Sequence, residues 1–265
     1  MNNIETVFKN LKRIKKRAFI PYITAGDPNL EDTYSALKFF AEEGADIIEL
    51  GVPFSDPMAD GEVIQRAMER SLHAKTNLKN ILSIVKRFRE SYKTPIILMG
   101  YYNPFYKYGL ETFAKDAFSS GVDGILTVDL PPEEAKEFVS VLKKYKIIPI
   151  FLATPTSDLK RLIKIKSLAK GFIYYVSVTG VTGERNDLSD DIIEKLNLIK
   201  KTIGLPVVLG FGISTPEIIK KFINYVDGFV VGSAIVKRWE NYIQSGDRKD
   251  FETFFKIMMD SCFYW

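Results

Sequence analysis

The chain has 265 residues, a length that fits one large α/β domain or two small ones and is sufficient to bury a sizeable core. Apolar residues make up 46% of it and charged residues 26%, which is ordinary usage for a globular protein and excludes a disordered chain. The net charge of +4 is scattered over basic helical segments without interleaved aromatic residues, so we expect no nucleic-acid partner.

The first predicted element is an amphipathic helix over residues 4–14, where apolar residues recur at helical spacing between lysines and arginines. An apolar run over 18–24 predicts a strand, and a turn containing Gly26 and Pro28 follows it. The next helix is predicted over 30–43, because acidic residues occupy its first turn and Gly44 ends it.

The stretch 46–65 joins an apolar strand to a long polar loop. Residues 46–50 predict a short buried strand, in which Glu49 shares the side-chain direction of Ile47. A carboxylate that faces a barrel interior costs several kcal/mol unless it is paired, protonated or functional. The loop brings two further acids towards the end of this strand; we assign Asp56 to turn bonding beside Pro57, and Asp60 to the site.

The same strand–helix unit then repeats along the chain. Further helices are predicted at 63–72, 78–91, 110–119, 133–144, 158–168, 191–202, 215–224 and from 232 onward. Further strands are predicted at 95–99, 122–128, 147–152, 171–177, 205–209 and 226–231, with loops at 100–109 and 178–190. Eight strands at roughly 30-residue spacing predict a closed (β/α)8 TIM barrel with an extra N-terminal helix, as one domain over 1–265. An open doubly wound sheet is the alternative, but no dinucleotide-binding glycine motif follows the first strand.

In this architecture the βα loops form the active site, and phosphate commonly binds after the seventh and eighth strands. Loops 210–214 and 232–234 both combine glycine and serine just before a helix, and loop 179–183 adds glycines and hydroxyl groups beside them. Each loop alone also fits an ordinary turn or cap. Together, at this position of the barrel, they predict a phosphate site.

Aromatic residues are frequent at the same strand ends. Core packing remains the alternative for any single tyrosine, but several around one mouth suit a flat apolar ligand. The residues concerned are Tyr22, Tyr101, Tyr102, Tyr174 and Phe211.

Other reactive groups are scarce. His73, the single histidine, is assigned to a solvated helix end, and Cys262, the single cysteine, to an incidental position in the tail. A zinc site, a Ser-His-Asp triad and an intramolecular disulfide therefore lack the residues they need, and we expect no metal. With no signal-peptide pattern and no long apolar segment, we expect a cytoplasmic protein without a membrane partner.

Several motifs together resemble the tryptophan synthase α subunit family over essentially the whole chain: ELGVPFSDPMADG, MGYYNP, YYVSVTGVTG, LGFGIS and VGSAIV. The resemblance implies a barrel lyase that cleaves indole-3-glycerol phosphate to indole and glyceraldehyde 3-phosphate in tryptophan biosynthesis. It also implies a β-subunit partner in an α2β2 heterotetramer. Pyridoxal phosphate is expected in that partner, and no cofactor is expected in this chain.

By the same resemblance, Glu49 is the general acid and base, Asp60 binds the indole N–H, and Thr182 contacts Asp60 when two mobile loops close. The indole pocket is expected to consist of Tyr22, Tyr101, Val128, Tyr174 and Phe211. The phosphate is expected on donors of Gly183, Gly212, Gly232 and Ser233.

Two positions depart from the family pattern: Glu62 stands where proline is frequent, and Tyr22 where phenylalanine is frequent. Two other functions stay open at this point. One is a non-catalytic, phosphate-binding allosteric subunit, which the presence of both acids disfavours. The other is a lyase that releases indole without a partner.

Overall fold

Eight parallel strands close into a barrel in the computed structural model, which describes residues 3–176, 186–210 and 212–263. The strands follow one another around the barrel in chain order, and the last pairs with the first. The predicted (β/α)8 barrel is confirmed. The strands are β1 Ala18–Thr24, β2 Ile48–Gly51, β3 Ile96–Gly100, β4 Gly124–Thr127, β5 Ile148–Ala153, β6 Ile173–Val176, β7 Val207–Gly210 and β8 Gly228–Val231.

The strands are short apolar runs because helices cover their outer faces while the barrel interior buries their inner faces. Alternate side chains therefore pack into two different cores. Ile47 belongs to the inner core, and Ile48 and Leu50 belong to the outer one, between strands and helices. Glu49 lies opposite Tyr22 of β1 and Ile97 of β3, both of which pack in the inner core, so the predicted inward direction of Glu49 is confirmed.

The helices surround the barrel, and most bounds agree with the sequence prediction within two or three residues. They are α1 Asn3–Arg13, α2 Leu30–Glu43, α3 Glu62–His73, α4 Leu78–Arg89, α5 Tyr102–Tyr108, α6 Leu110–Ser120, α7 Lys136–Lys144, α8 Leu159–Leu168, α9 Asn186–Ile203, α10 Pro216–Phe222, α11 Ser233–Ser245 and α12 Lys249–Asp260.

The predicted N-terminal helix is α1, and it covers the end of the barrel opposite the active-site mouth. Ile4, Phe8 and Leu11 are buried in the inner core. The ring of Phe8 lies 5.5 Å from the ring of Phe172, which precedes β6. The apolar face of this amphipathic helix therefore fills the amino-terminal opening of the barrel.

Three expectations need correction. Residues 100–109 are not an open loop: they contain α5, which Pro104 tolerates because its missing N–H lies in the first turn. Helix α9 begins at Asn186 rather than 191, since acidic residues near a helix start are favourable rather than a sign of loop. Cys262 is not incidental, because it is fully buried and its thiol faces the Met258 carbonyl at 3.6 Å.

Strands β1, β2, β3, β6 and β8 and the loops before α3, α10 and α11 position the residues of the site described below. Across residues 3–176, 186–210 and 212–263, each helix is too short or too polar to cross a lipid bilayer.

Candidate active site

A cavity of about 120 Å³ opens at the carboxyl ends of the strands. It gathers residues from five strands, from the loop before α3 and from the loops before α10 and α11. Of the residues predicted from sequence, it brings together Tyr22, Glu49, Asp60, Tyr174, Gly212, Gly232 and Ser233. Its other lining residues are Gly61, Ile64, Met99, Ile213 and Val230.

Glu49 is the buried acid of this cavity. Its relative exposure is 1%, and its Oε2 atom has no hydrogen-bond partner among the described residues. Burial, followed by repulsion from the nearby Asp60, raises the pKa of Glu49 from 4.5 to about 8. At neutral pH this side chain is therefore mostly a protonated acid that can donate a proton into the cavity.

Asp60 is the second acid, and a tyrosine hydroxyl donates a hydrogen bond to its carboxylate. The Tyr101 hydroxyl donates to Asp60 Oδ2 at 2.7 Å and accepts from the backbone N–H of Ala59 at 2.9 Å. The Gln65 amide donates to the Asp60 carbonyl at 2.7 Å, which ties the loop to the first turns of α3. Burial raises the pKa of Asp60, and the bond from Tyr101 opposes that rise.

The two acids ionise in a defined order because their surroundings differ. A carboxylate that keeps a hydrogen-bond donor is stabilised in its charged form, whereas a buried carboxyl without one is not. Asp60 therefore ionises first, and its charge helps to keep Glu49 protonated. Burial also raises the pKa of Tyr22 and Tyr174 well above 10, so both line the cavity as neutral hydroxyls.

Two glycines at strand ends make room for the aromatic rings, and sequence reasoning missed both. A Cβ atom on Gly51 would lie 2.1 Å from the Tyr22 hydroxyl oxygen, and one on Gly210 would lie 2.2 Å from Cε1 of Tyr174. Each glycine shares the inward direction of the residue two positions earlier, Glu49 or Val208. An inward-facing glycine at a strand end was therefore the signal that could have identified them.

The opposite wall of the cavity is suited to an anion. Gly232 is the N-cap of α11, and Ser233 is the first residue of this 13-residue helix. The first backbone N–H groups of a helix have no partner inside the helix, and the helix dipole favours negative charge there. Gly212, at φ 74°, adds a left-handed turn that brings the backbone close to the same wall.

The remaining predicted residues fall into three groups. Tyr101 contacts Asp60 as described, and Val128 is half-buried against the inner core without lining the cavity. Thr182, Gly183 and Phe211 lie outside the described residues.

Asp56 and His73, which the sequence analysis assigned roles outside the chemistry, are exposed, and so is Glu62, one of the two departures from the family pattern. The exposed Asp56 carboxylate accepts a hydrogen bond of 2.5 Å from Ser55, in agreement with the predicted turn bonding. His73 is exposed at the end of α3. Glu62 forms a surface ion pair of 2.7 Å with Arg66. In the part of the chain that the structure describes, no three His, Cys, Asp or Glu side chains cluster as metal ligands.

The family model of the tryptophan synthase alpha chain matches residues 8–259. The tryptophan synthase alpha chain of Geotalea daltonii is 51% identical over 242 residues, which are 91% of this chain and 92% of that protein. The crystal structure of tryptophan synthase subunit alpha from Legionella pneumophila has a TM-score of 0.92 and 38% identity, with 99% of this chain and 98% of that chain covered. The crystal structure of the Pyrococcus furiosus tryptophan synthase complex has a TM-score of 0.84 and 37% identity, with 92% and 99% covered. The chain therefore belongs to the tryptophan synthase alpha chain family.

Proposed function

We propose that Glu49 and Asp60 divide the chemistry by which this family cleaves indole-3-glycerol phosphate into indole and glyceraldehyde 3-phosphate. The observation that carries this assignment is the pair of acids in one cavity. One is buried with an Oε2 atom that has no hydrogen-bond partner among the described residues, and the other accepts a hydrogen bond from a tyrosine. Such a pair supplies an acid and an anion at the same pH.

The first step needs a proton at carbon. The glycerol chain is attached to C3 of the indole ring, and protonation of C3 makes this carbon tetrahedral and moves positive charge onto the ring nitrogen. Glu49, protonated because its pKa is about 8, donates that proton. Asp60, as a carboxylate, accepts the hydrogen bond of the ring N–H and stabilises the developing cation.

The second step breaks the carbon–carbon bond. Glu49 is now a carboxylate and takes the proton of the hydroxyl on the carbon next to C3. The oxygen lone pair becomes the carbonyl of glyceraldehyde 3-phosphate, and the electron pair of the broken bond restores the aromatic ring. Glu49 ends the cycle protonated, and no external oxidant or base is consumed.

The other cavity residues bind the two ends of the substrate. We assign the phosphate to the first amides of α11 at Gly232 and Ser233, to the turn at Gly212, and to Gly183. We assign the indole ring to the pocket of Tyr22, Tyr174, Tyr101, Val128 and Phe211. Thr182 is assigned the contact with Asp60 on loop closure.

Members of this family pair with a β subunit, and in the complex of this chain with that subunit the β subunit receives the indole. We place pyridoxal phosphate in the β subunit and no cofactor in this chain, because the acid pair alone meets the demands of the cleavage. We also propose that residues 1–265 form one domain and that the protein is cytoplasmic.

The test is the Glu49→Gln variant in complex with the β subunit, assayed for indole release. Loss of a general acid and base lowers turnover by about 10²–10⁴-fold. Competitive binding of glycerol 3-phosphate should be kept, because its phosphate contacts lie on the other wall of the cavity. Turnover within about threefold of wild type would overturn the assignment of Glu49.

A further inference from the structure

A partly buried ion-pair network lies behind the cavity, and its central residue, Arg70, joins three elements. Arg70 of α3 donates from Nε and Nη2 to the two carboxylate oxygens of Asp27, at 2.6 and 2.8 Å. Its Nη1 donates to Glu240 Oε1 of α11 at 2.6 Å. The side chain of Asp27 is only 2% exposed. The planar guanidinium of arginine can donate hydrogen bonds to three oxygens in fixed directions at once.

The segment that follows β1 is bound to the same two helices by neutral hydrogen bonds. The Trp239 indole N–H of α11 donates to the Asp27 carbonyl at 3.1 Å, and the Ser71 hydroxyl of α3 donates to the Ala25 carbonyl at 2.5 Å. A Cβ atom on Gly26 would lie 2.0 Å from Thr76 Oγ1, just beyond the end of α3, and 2.7 Å from Ser71 Oγ of α3, so the segment packs tightly against this region. The network therefore joins α3, α11 and the segment after β1 into one unit.

Both helices begin at the cavity, and the network joins them at nearly the same depth. Helix α3 begins at Glu62, directly after Asp60 and Gly61, and Arg70 follows about 12 Å further along its axis at 1.5 Å per residue. Helix α11 begins at Ser233, and Glu240 follows about 10 Å along its axis by the same rise. Fixing the two helices at this depth fixes their first turns relative to each other.

We propose that Arg70 is a positioning residue for the cleavage reaction, holding Asp60 at a set distance from the phosphate-binding start of α11. This inference rests on the proposed function, in which Asp60 and the phosphate cradle bind opposite ends of one substrate. With the phosphate anchored, a shift of α3 misplaces Asp60 against the ring nitrogen. A misplacement of about 1 Å can lower the rate by about 10²-fold.

The kinetic test compares Arg70→Met, Arg70→Lys and a control in complex with the β subunit. We expect Arg70→Met to lower kcat by about tenfold or more. The inhibition constant of glycerol 3-phosphate should change by less than about threefold, because the cradle itself is intact. Arg70→Lys should fall between Arg70→Met and wild type, since an ammonium cannot serve all three oxygens. The control is Arg87→Met, which removes the two hydrogen bonds that Arg87 Nη1 donates to the Glu31 carboxylate on the surface and should leave kcat unchanged.

A double-mutant cycle separates positioning from a general structural role. Arg70→Met is introduced into wild type and into Asp60→Asn, and indole release is measured in all four proteins. If Arg70 acts through Asp60, its loss changes kcat by less than about threefold once Asp60→Asn is present. An equal loss in both backgrounds would overturn the inference and leave the role of Asp60 standing. Wild-type activity of Asp60→Asn alone would instead refute the proposed function together with this inference.

A second variant tests the same link in case Arg70→Met does not fold. Glu240→Gln keeps the Arg70 pair with Asp27 and weakens the two ion pairs between α3 and α11, those of Glu240 with Arg70 at 2.6 Å and with Arg66 at 3.7 Å. In a folded enzyme, as checked by circular dichroism, we expect it to lower kcat about threefold or more and to show the same dependence on Asp60. Unchanged kcat in folded Glu240→Gln would refute the link between α3 and α11.

Discussion

Replacing Glu49 by glutamine should stabilise the protein, and the gain should grow with pH. The carboxyl is buried, has an unpartnered oxygen among the described residues, and has its pKa raised from 4.5 to about 8. Between these two values the folded state keeps a proton that the unfolded state has lost. The free energy of unfolding of the wild type therefore falls as pH rises through this window. Glutamine cannot titrate, so its variant lacks this fall.

The size of the effect follows from the two pKa values of Glu49. A difference of one pKa unit corresponds to about 1.4 kcal/mol, which sets an upper limit of about 5 kcal/mol for a rise from 4.5 to about 8. Integrated between pH 5.5 and 8.5, the wild type should lose about 3 kcal/mol relative to Glu49→Gln. Any change in packing caused by the amide is the same at both pH values and cancels from this difference.

The assay is urea unfolding followed by far-ultraviolet circular dichroism at pH 5.5, 7 and 8.5, for wild type and Glu49→Gln. The matched control is Glu69→Gln, which changes an exposed glutamate on α3. The control should differ from wild type by the same amount at every pH. A stability difference for Glu49→Gln that stays constant within about 0.5 kcal/mol across this range would refute the raised pKa and, with it, the protonated acid at pH 7.

Three further outcomes follow from the site. The kcat/KM for indole release should fall about tenfold per pH unit above about 8, where Glu49 loses its proton in the free enzyme; a profile flat to pH 10 would contradict its role as acid. Tyr101→Phe removes the hydroxyl that donates to Asp60 and should lower kcat about tenfold. Because the pKa of Asp60 then rises, the acidic limb of the pH–rate profile should shift to higher pH, and an unshifted limb would contradict this pairing. Gly210→Ala places a Cβ atom 2.2 Å from Tyr174 and should cost about 1–3 kcal/mol of stability in thermal unfolding. The control Gly61→Ala, with no atom within 4 Å of the new Cβ, should not have this cost, and equal effects of the two variants would contradict the close approach.

The barrel could be predicted from sequence because its signals are local and repeated. Residues 18–24 and 30–43 were predicted with the bounds of β1 and α2, since an apolar run and a capped amphipathic helix are each decided within one segment. The inward direction of Glu49 followed from strand alternation alone. The alternation of side chains along β2 was therefore enough to place Glu49 inside the barrel without knowledge of any tertiary contact.

Other features depend on contacts that no local pattern contains. The bond from Tyr101 to Asp60 joins residues 41 positions apart, and the bond from Arg70 to Glu240 joins residues 170 positions apart. The helix within residues 100–109 was not predicted because the tyrosines, proline and flanking glycines of this segment are each compatible with a turn. The Asp129 carboxylate that accepts the Tyr102 N–H follows a different strand, so no local pattern contains it. Which acid keeps its proton likewise depends on the full set of neighbours, although the presence of two acids was readable from the sequence.

The property that destabilises the barrel at Glu49 is the same property that makes it an acid at neutral pH. A hydrogen-bond donor to Oε2 would lower the pKa and stabilise the fold, but the side chain would then be a carboxylate that cannot protonate carbon. Asp60 has such a donor in Tyr101 and is suited to the opposite task. The large outer core, which lies between strands and helices, supplies the stability that lets the inner face keep a buried acid. Stability and proton donation at Glu49 should therefore change in opposite directions, because both are set by the burial of one carboxyl group.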